Sequence, residues 1–461
     1  MQFEQLAQLT GGRLAKGVHS NVRFTGVSID SRTIKEGELF IAIRGEVNDG
    51  HQFIDRAAKC DAAGAMVEIG NVSVSTGLAD FPMVAVPDSY KAMTRLAQQY
   101  LEECTARKIG ITGSNGKTTT KELCGCLLEA VESGVYRSPG NLNNLFGVPL
   151  SIFAMPSDTK VAVYEMGIST PNEMSDLARV VNPDAIVITN VGPTHLEFLH
   201  TVEEVAEAKL ELMAAVSLDV PVVLNADDQI LMKEARKPGR SFTTFGIDNP
   251  ADYTTDEITT DEQGAQRVTI EGKSFLLPLA GKHQVYNLLA AYAIVRSLGY
   301  SFDDIDTSVL QLTTARWRGE TIRLNGIRIL ADCYNANPDS VRASLDTFFG
   351  RAASGRRVIC LGDMAELGAG GPDYHGRVGE QLAEREFALC ALVGPLSQHT
   401  LDAAMSSGVP DSCLQHFDTA AHCARFVREF VREGDDVLVK GSRSIGMEVI
   451  IDALSRCGDG A

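Results

Sequence analysis

The chain has 461 residues, 44% of them hydrophobic and 22% charged, which is the balance of a globular protein with several hydrophobic cores. Its formal net charge of −18 argues against broad nucleic-acid binding, which needs basic surface. The sequence has no apolar run that could span a bilayer, no signal peptide and no C-x-x-C pair among its ten cysteines, so we expect a cytoplasmic protein with reduced thiols and no membrane insertion.

The first part of the chain alternates short strands with helices. The segments ELFIAIRG, AMVEI and MVAV predict buried strands, and GHQFIDRAAKCDAAGA predicts a helix. Pro87 and Asp88 then begin a second helix, which leads into the following part of the chain. We therefore expect a small α/β domain over residues 1–87.

The middle of the chain, over residues 88–313, repeats apolar strands and helices. The strands KIGIT, VAVYEM, AIVITN and VPVVLN alternate with helices, which indicates a mostly parallel sheet covered on both faces. Residues 249–279 change character and predict a β-hairpin insertion or a sheet edge. A long helix, QVYNLLAAYAIVRSLGY, is predicted after them.

A third α/β run begins near Arg318. Its predicted strands are IRILAD, RVICLG, ALCALVG and DDVLVKG, separated by segments of helix length. The pattern is Rossmann-like, although it contains no G-x-G-x-x-G. We expect an α/β protein of three domains, the third over residues 314–461.

The stretch GITGSNGKTTTKEL joins a strand to a helix, which is the context of a phosphate-binding loop. Gly113 and Gly116 would let backbone N–H groups point inward, Lys117 would reach the outer phosphates, and the hydroxyl of Thr118 would bind Mg²⁺. The strict Walker pattern is not met, because its first glycine position falls on Ile111. The alternative is a glycine-rich turn with an incidental Lys-Thr pair.

Two further polar residues follow predicted strands, at the sheet edge where α/β proteins bind ligands. Glu165 ends the strand VAVYEM, and an acidic residue there can hold Mg²⁺ against a phosphate. His195 follows AIVITN and can be a metal ligand when neutral, although a surface histidine is the simpler interpretation. A nucleotide loop with these residues fits kinases, GTPases, ATPases and ligases.

Ten motifs along almost the whole chain resemble the Mur ligase family. "TGSNGKT" alone marks only the wider superfamily, which includes folylpolyglutamate synthases, whereas "DCYNANPDS", "GDMAELG" and "VKGSRS" are more specific. The motifs are SIDSRTIKEGELFIAIRGEVNDGHQFI, GITGSNGKTTTKEL, GNLNNLFGVPL, VYEMGIS, NVGPTHLEFL, AEAKLEL, GKHQVYNLLAA, DCYNANPDS, LGDMAELG and LVKGSRS.

The chain is most similar to the members of the family that join D-alanyl-D-alanine to UDP-N-acetylmuramoyl-tripeptide. That resemblance implies ATP-driven amide formation through an acyl phosphate, giving the pentapeptide precursor of peptidoglycan and hence serving cell-wall biogenesis, cell shape and cell division. It also implies two Mg²⁺ ions and a carbamylated Lys209. We expect a monomer with no nucleic-acid partner.

The resemblance implies three sets of residues around the nucleotide. The nucleotide-binding set is Gly113, Ser114, Asn115, Gly116, Lys117, Thr118, Thr119, Asn287 (to adenine), Arg318 and Asp332; the catalytic set is Lys117, Glu165, His195 and Lys209; the metal set is Thr118, Glu165, His195 and Lys209.

Lys209 needs a specific environment for this role, because only a neutral amine reacts with CO₂. We therefore expect burial or a nearby positive charge to lower its pKa. The alternative is a solvated lysine that pairs with Glu203, Glu204 or Glu207 on its own helix.

The resemblance also implies a substrate-binding set. Its first group, for which a turn-rich linker is the alternative, contains Ser28, Ser31, Arg32, Arg44, Gly45, Asn48, Asp49 and His51; the second, for which a simple turn is the alternative, contains Asn143 and Asn144. The third has a polar loop capping a helix near Pro338 as its alternative and contains Tyr334, Asn335 and Asn337. The fourth has a solvated basic turn as its alternative and contains Lys440, Ser442 and Arg443.

The chain departs from the family pattern at two positions. Gln284 stands where the family usually has asparagine, which leaves its contact undefined, and Leu210 stands where glycine often follows the lysine. Three other interpretations stay open: the ligase that adds the third peptide residue, for which a DNPR element is missing; a folylpolyglutamate synthase; and a non-catalytic, nucleotide-gated partner protein.

Overall fold

The computed structural model describes residues 1–14, 22–45, 48–70, 81–237, 239–261, 264–311, 315–353 and 355–455. The chain divides into two compact units. The first contains Met1–Ile109, Gly134–Met166 and Ser175–Pro183, and the second contains Gly110–Ser133, Gly167–Met174 and Asp184–Ala461. Neither unit ends at the predicted boundary after residue 87, and the predicted boundary after residue 313 lies outside the described residues.

The first unit begins with a five-stranded sheet of order β1-β5-β4-β3-β2, parallel except between β1 and β5. Two apolar clusters fill it: one contains Phe3, Leu39 and Met66, and the other contains Phe40 and Ala65, the alternate residues of the same strands. The elements are α1 (Phe3–Thr10), β1 (Arg13–Leu14), β2 (Gly26–Ser28), β3 (Glu38–Ile41), α2 (Ile54–Lys59), β4 (Gly64–Glu68), β5 (Met83–Val86) and α3 (Ser89–Glu102).

The predicted helix before β4 is shorter than expected, since residues 50–53 form a 3₁₀ turn. Asp88 caps α3 by accepting a hydrogen bond from the backbone N–H of Lys91 at 2.9 Å. The first unit continues with parallel strands β7 and β8 and the short helix α5. Their bounds are β7 (Val135–Arg137), α5 (Gly147–Phe153) and β8 (Val161–Glu165).

Strand β6 (Arg107–Thr112) and helix α6 (Glu173–Val181) each begin in one unit and end in the other. In the second unit, parallel strands lie in the order β9-β10-β11, and the N–H of Thr189 after β9 donates to the carbonyl of Thr112 at 2.9 Å. The elements are α4 (Lys117–Glu129), β9 (Ala185–Ile188), α7 (Leu196–Leu199), α8 (Val202–Ala215), β10 (Val222–Asn225), α9 (Gln229–Ala235), β11 (Thr243–Phe245) and α10 (Lys282–Ser297).

The predicted hairpin in the middle of the chain is a small antiparallel sheet of three strands. These strands are β12 (Glu257–Thr260), β13 (Gln266–Ile270) and β14 (Lys273–Leu277). Phe275 of this sheet is fully buried and packs edge-on against Tyr292 of α10, with 5.7 Å between ring centroids.

The C-terminal part of the second unit is a six-stranded sheet of order β15-β16-β20-β17-β18-β19, parallel except for β15. All four strands predicted here are present. Strands β15 and β19 were missed, since they mix polar and apolar residues and are mostly partly exposed. The elements are β15 (Glu320–Leu324), β16 (Ile327–Asp332), α11 (Pro338–Gly350), β17 (Arg357–Gly362), α12 (Gly371–Ala383), β18 (Leu389–Val393), α13 (Ser397–Ser406), β19 (Leu414–Phe417), α14 (Ala420–Phe430), β20 (Asp436–Lys440) and α15 (Glu448–Ser455).

Two expectations about the whole chain can be compared with the described residues. Each described cysteine is a free thiol, and most are buried, as the scattered spacing predicted. No helix among the described residues is both long and apolar enough to cross a membrane.

Candidate functional site

The glycine loop lies between β6 and α4, as the sequence predicted. Gly116 has a φ of 81°, and a Cβ added there would lie only 2.0 Å from Oδ1 of Asn287 on α10. Both the backbone conformation and the close approach therefore require glycine. Gly113 is equally confined, because a Cβ there would lie 1.9 Å from Oγ1 of Thr189. The two glycines allow the loop to pack tightly on α10 and on the end of β9.

Hydrogen bonds from three directions fix the tip of the loop. The N–H of Asn115 donates to Oδ1 of Asn190 at 2.8 Å, and its carbonyl accepts from Oγ1 of Thr189 at 2.6 Å. The hydroxyl of Ser114 accepts from the N–H of Gly192 at 2.9 Å. The side chain of Asn115 exchanges two amide hydrogen bonds with Asn337, at 2.7 and 3.3 Å. The loop is thus preorganised by residues that follow β9 and precede α11.

Lys117 and Thr118 begin α4, where the positive end of the helix dipole favours an anion. The ammonium of Lys117 donates to the carbonyl of Gly113 at 2.6 Å and lies 3.3 Å from the carbonyl of Ser114. Thr118 and Thr119 are buried. The arrangement places a lysine ammonium and a buried hydroxyl at the start of a helix, which is suited to a polyphosphate.

A chain of side-chain hydrogen bonds supports the loop from α10. Oγ1 of Thr120 donates to Oδ1 of Asn287 at 3.4 Å, Nδ2 of Asn287 donates to Oε1 of Gln284 at 3.0 Å, and Nε2 of Gln284 donates to Nε2 of His283 at 3.0 Å. This direction requires an unprotonated Nε2, and burial lowers the pKa of His283 to about 4. Gln284 therefore holds the side chain of Asn287. This is the contact of Gln284 that the sequence left undefined.

Lys209 on α8 is only 1% exposed, which excludes the solvated-face alternative. Burial, and then the positive charge of Lys117, lower its pKa well below the ordinary value. Both causes expected from the sequence therefore act on this lysine. Both causes favour the neutral, nucleophilic amine over the ammonium.

His195 lies after β9 in a left-handed conformation, with a φ of 56°. Its Nδ1 lies 2.5 Å from Oε2 of Glu366 in the loop after β17. This hydrogen bond lowers the pKa of the Glu366 carboxyl below its usual value. The sequence singled out the motif that contains Glu366, but not this side chain.

The residues predicted near the end of β20 differ in exposure. Lys440 is buried, and its ammonium donates to Oδ2 of Asp332 at 2.7 Å and to the carbonyl of Asn335 at 3.1 Å. Ser442 is also buried, and its Oγ accepts from the N–H of Ala365 at 2.8 Å. Arg443 is exposed and pairs with a carboxylate on α15. The solvated-turn alternative therefore fits only Arg443, and the contacts of Lys440 and Ser442 give them a role in holding neighbouring loops.

The residues predicted near the start of α11 form a second group. The guanidinium of Arg318 stacks on the ring of Tyr334, with 3.9 Å to the centroid. Asn337 caps α11, because its Oδ1 accepts from the N–H of Ser340 at 2.9 Å. Its bonds to Asn115 add a second role, so the capping alternative describes only part of its contacts. Asn335 is exposed.

In the first unit, Glu165 ends β8 with its carboxylate buried. Oε1 accepts a hydrogen bond from Nδ2 of Asn143 at 2.7 Å, and the backbone N–H of Glu165 donates to Oγ of Ser138 at 3.1 Å. Oδ1 of Asn144 accepts from the N–H of Gly147 at 2.8 Å and caps a turn. Asn143 thus orients Glu165, and Asn144 fits the simple-turn alternative.

The predicted substrate loops of the first unit are held by local contacts. Arg32 pairs with Asp30 at 2.7 Å, which lowers the pKa of Asp30 to about 2. Oδ1 of Asp49 lies 2.6 Å from Nδ1 of His51, whose Nε2 accepts from the N–H of Glu68 at 2.9 Å. Both ring nitrogens of His51 are therefore occupied.

The other members of that substrate set lie close to these contacts. The hydroxyl of Ser28 accepts from the N–H of Asp30 at 3.1 Å, Ser31 is buried, and the N–H of Gly45 donates to the carbonyl of Asn48 at 2.9 Å. Arg44 is half exposed and lies 3.5 Å from Asp49. The turns agree with the linker alternative, and substrate contacts at these residues stay predictions.

The residues present fit Mg²⁺ held mainly by a nucleotide. No group of three or more His, Cys, Asp or Glu side chains converges among the described residues, so they form no all-protein metal cage. Mg²⁺ commonly binds through one or two protein oxygens, substrate phosphates and water. In the second unit the buried hydroxyl of Thr118 is an oxygen of this kind. In the first unit the buried carboxylate of Glu165 is another.

Comparison with known proteins gives a consistent result. Residues 23–101 match the Mur ligase family, catalytic domain; residues 111–295 match the Mur ligase middle domain; and residues 317–443 match the Mur ligase, glutamate ligase domain. The chain is 32% identical to the UDP-N-acetylmuramoyl-tripeptide–D-alanyl-D-alanine ligase of Bacillus subtilis over 98% of this chain and 97% of that protein.

Two solved structures also resemble the chain. MurF from Acinetobacter baumannii superposes with a TM-score of 0.85 at 26% identity, covering 98% of both chains. MurF ligase from Thermotoga maritima, solved in complex with ADP, superposes with a TM-score of 0.79 at 27% identity, covering 94% of this chain and 97% of that one.

Replacement of Gly116 by alanine should weaken ADP binding by about tenfold or more, equivalent to about 1.4 kcal/mol. The added methyl group would displace Asn287 or the loop, since it lies 2.0 Å from Oδ1. Isothermal titration calorimetry measures the affinity. Gly434→Ala is the matched control, because Gly434 has a similar φ of 89° with no atom within 4 Å of an added Cβ. Equal ADP affinity in both variants would show that the close approach is unimportant.

Gln284→Ala should lower the free energy of unfolding by about 1–3 kcal/mol, because Nδ2 of Asn287 loses its buried acceptor. It should also weaken ADP binding through the loop. Gln266 is another buried glutamine, which donates to the carbonyls of Leu279 and Gly281 at 2.8 and 3.1 Å and does not bond to Asn287. Gln266→Ala should therefore cost similar stability with a smaller effect on affinity than Gln284→Ala. Denaturant unfolding and calorimetry measure the two effects. An unchanged ADP affinity in Gln284→Ala would contradict the support role.

Proposed function

The chain belongs to the Mur ligase family, and we propose that it is the ATP-dependent ligase that joins D-alanyl-D-alanine to UDP-N-acetylmuramoyl-tripeptide. It has the three-domain α/β fold of that family, and relatives of this activity match it from end to end. The observation that carries the proposal is the fixed glycine loop beside the buried Lys209. A kinase or GTPase needs the loop, but it has no need for a buried lysine whose pKa is lowered by the charge of the loop lysine.

The reaction joins the two substrates in two steps. The terminal carboxylate of the tripeptide attacks the γ-phosphorus of ATP, which forms an acyl phosphate and releases ADP. The amine of D-alanyl-D-alanine then attacks the acyl carbon, loses a proton and expels phosphate, which leaves a new amide bond. The product is the UDP-linked pentapeptide precursor of peptidoglycan. The site must therefore balance the charge of the phosphates and keep water from the acyl phosphate.

The loop residues perform the first of these tasks. The loop residues assigned to surround the phosphates are Gly113, Ser114, Asn115, Gly116 and Thr119. The N–H groups of Ser114 and Asn115 are bonded to Asn190 and hold the loop in shape. The helix start and the ammonium of Lys117 balance the charge on the transferring group. The rigid hydrogen bonds of Asn115 hold this environment in place before the nucleotide binds. Preorganised donors avoid reorganisation during the reaction, which is the main source of electrostatic catalysis.

Thr118, Glu165 and His195 are the residues that we assign to Mg²⁺. The ion would neutralise charge on the phosphates and on the attacking carboxylate. Asn143 keeps the carboxylate of Glu165 oriented through its 2.7 Å hydrogen bond. The hydroxyl of Thr118 is buried at the start of α4 and has little rotational freedom.

Lys209 is assigned a carbamate. Its neutral amine nitrogen would attack the carbon of CO₂ and lose a proton, so that a cation site becomes an anion able to act with His195 at the second metal position. Burial and the charge of Lys117 favour the neutral amine that this step needs. The same two features make an unmodified ammonium costly at this position.

The remaining assignments follow the family and the exposure of the side chains. Asn287, Arg318 and Asp332 are assigned to the adenosine part of ATP. The substrate loops around Arg32 and Arg44 in the first unit are assigned to the UDP-sugar, and Arg443 with the loop at Tyr334 to the peptide carboxylate. We place the domain boundaries after residues 87 and 313, and we propose a cytoplasmic monomer.

Purified protein should release ADP and phosphate only when ATP, a UDP-tripeptide and D-alanyl-D-alanine are all present. Assays with lysine or diaminopimelate as the third residue will define the peptide. Lys117→Ala should lower turnover by on the order of a hundredfold or more, because the charge on the phosphates is no longer balanced. Lys91→Ala, at a lysine that is 82% exposed, should leave turnover unchanged. ADP release without either substrate, or wild-type turnover of Lys117→Ala, would contradict the proposal.

Lys209→Ala should be nearly inactive and should be partly restored by acetate or formate, which would supply the missing carboxylate. Chloride at equal ionic strength is the control. Mass spectrometry of gently handled wild-type protein should show the addition of CO₂. If carboxylates help no more than chloride and the added mass is never seen, Lys209 is not carbamylated.

A further inference from the structure

The contact between His195 and Glu366 joins two distant loops of the second unit. Both residues have left-handed backbones, with φ values of 56° and 61°, which non-glycine residues adopt only when their surroundings impose it. Nδ1 of His195 and Oε2 of Glu366 lie 2.5 Å apart, a charge-assisted distance. The Glu366 side chain is 47% exposed, so burial does not force this contact. Local backbone geometry brings the two side chains together.

The loop that contains Glu366 is anchored on the C-terminal sheet. The N–H of Met364 donates to Nε2 of His375 at 3.0 Å, and the N–H of Ala365 donates to Oγ of Ser442 at 2.8 Å. The N–H of Ser442 in turn donates to the carbonyl of Asp363 at 3.0 Å. These bonds fix the backbone on the N-terminal side of Glu366. The backbone position from which the Glu366 side chain extends is therefore fixed.

A second set of contacts fixes the same loop against the His195 segment. The N–H of Glu197 donates to the carbonyl of Glu366 at 3.2 Å. Gly368 has a φ of 56°, and a Cβ there would lie 3.2 Å from the Cα of Glu197. A side chain at position 368 would be crowded by the backbone of Glu197, and the left-handed φ also favours glycine there. The backbone of Glu366 is held on both sides, which fixes the direction from which its side chain meets the imidazole.

We propose that Glu366 is a positioning residue for His195, which fixes the imidazole with its proton on Nδ1 and its Nε2 lone pair available to a cation. A carboxylate can only accept, so Nδ1 must donate to it. Carboxylate partners of this kind orient metal-binding histidines and raise their basicity. The inference rests on the proposed function, which assigns Mg²⁺ to His195, and it adds Glu366 and its anchoring loop to the site.

The arrangement connects the phosphate side of the site to the C-terminal sheet. The loop held by Ser442 carries Glu366, and Glu366 orients His195. The imidazole is thus set correctly only when the loop after β17 is docked. Asn337, which bonds to Asn115, makes a second connection of the same kind. Chemistry on the γ-phosphate would therefore depend on the part of the chain that carries Arg443.

A metal-free measurement tests the positioning directly. In protein with ¹⁵N-labelled histidine, at pH 8, long-range ¹H–¹⁵N correlation spectra distinguish the two neutral tautomers, and His195→Asn identifies the signal. Wild-type His195 should be protonated at Nδ1. Glu366→Ala should move it toward the Nε2-protonated form that free histidine prefers, and Glu366→Gln should retain Nδ1–H because its amide oxygen still accepts. An unchanged tautomer in Glu366→Ala would overturn the proposal, whatever the ligase assay gives.

Metal affinity gives the second readout. With a non-hydrolysable ATP analogue bound, Glu366→Ala should weaken Mn²⁺ binding, measured by electron paramagnetic resonance, by about tenfold. Glu197→Ala is the matched control, since it removes an exposed carboxylate two residues from His195 and has no side-chain role in the contact. Equal loss in both variants would indicate a general charge effect and would refute positioning. Thermal unfolding of each variant checks that the fold is retained.

Discussion

The position of the glycine loop against α10 is the constraint on which the rest of the site depends. Gly116 lies so close to the amide of Asn287 that only glycine fits, and Asn287 is held in turn by Gln284 and Thr120. The start of α4 is thereby fixed relative to α10, and so are its N–H groups, Lys117 and Thr118. Because these donors are set before a nucleotide arrives, little reorganisation is needed when charge moves onto the transferring phosphate.

The protein has fewer basic than acidic residues, so the position of each lysine near the site matters. The chain carries a net charge of −18, yet its substrates are anions. Lys117 provides a cation at the loop, and its charge contributes to the lowered pKa of the buried Lys209. Lys440 is committed to Asp332 and Asn335, where it joins the end of β20 to the loop after β16. Three different electrostatic roles thus belong to Lys117, Lys209 and Lys440.

Two loops of the C-terminal sheet contribute to the nucleotide side through polar contacts. Asn337 meets Asn115, and Glu366 meets His195. Each contact pairs one side chain near the phosphate loop with one that follows a strand of the C-terminal sheet. Both contacts are polar and partly exposed, which suits an enzyme that must admit substrates and then exclude water.

The sequence by itself determined the three α/β segments, the glycine loop and most buried strands, because apolar periodicity and glycine spacing are local properties of the chain. It also indicated that Lys209 needed an unusual environment. Only the tertiary structure decided which side chains meet: that Gln284 holds Asn287, that Lys440 is buried, and that Glu366 reaches His195. The sequence likewise did not predict the edge strands β15 and β19, since their stability comes from pairing with a neighbouring strand. Contacts between residues far apart in the chain leave no periodic signal, so they are determined only when the chain is folded.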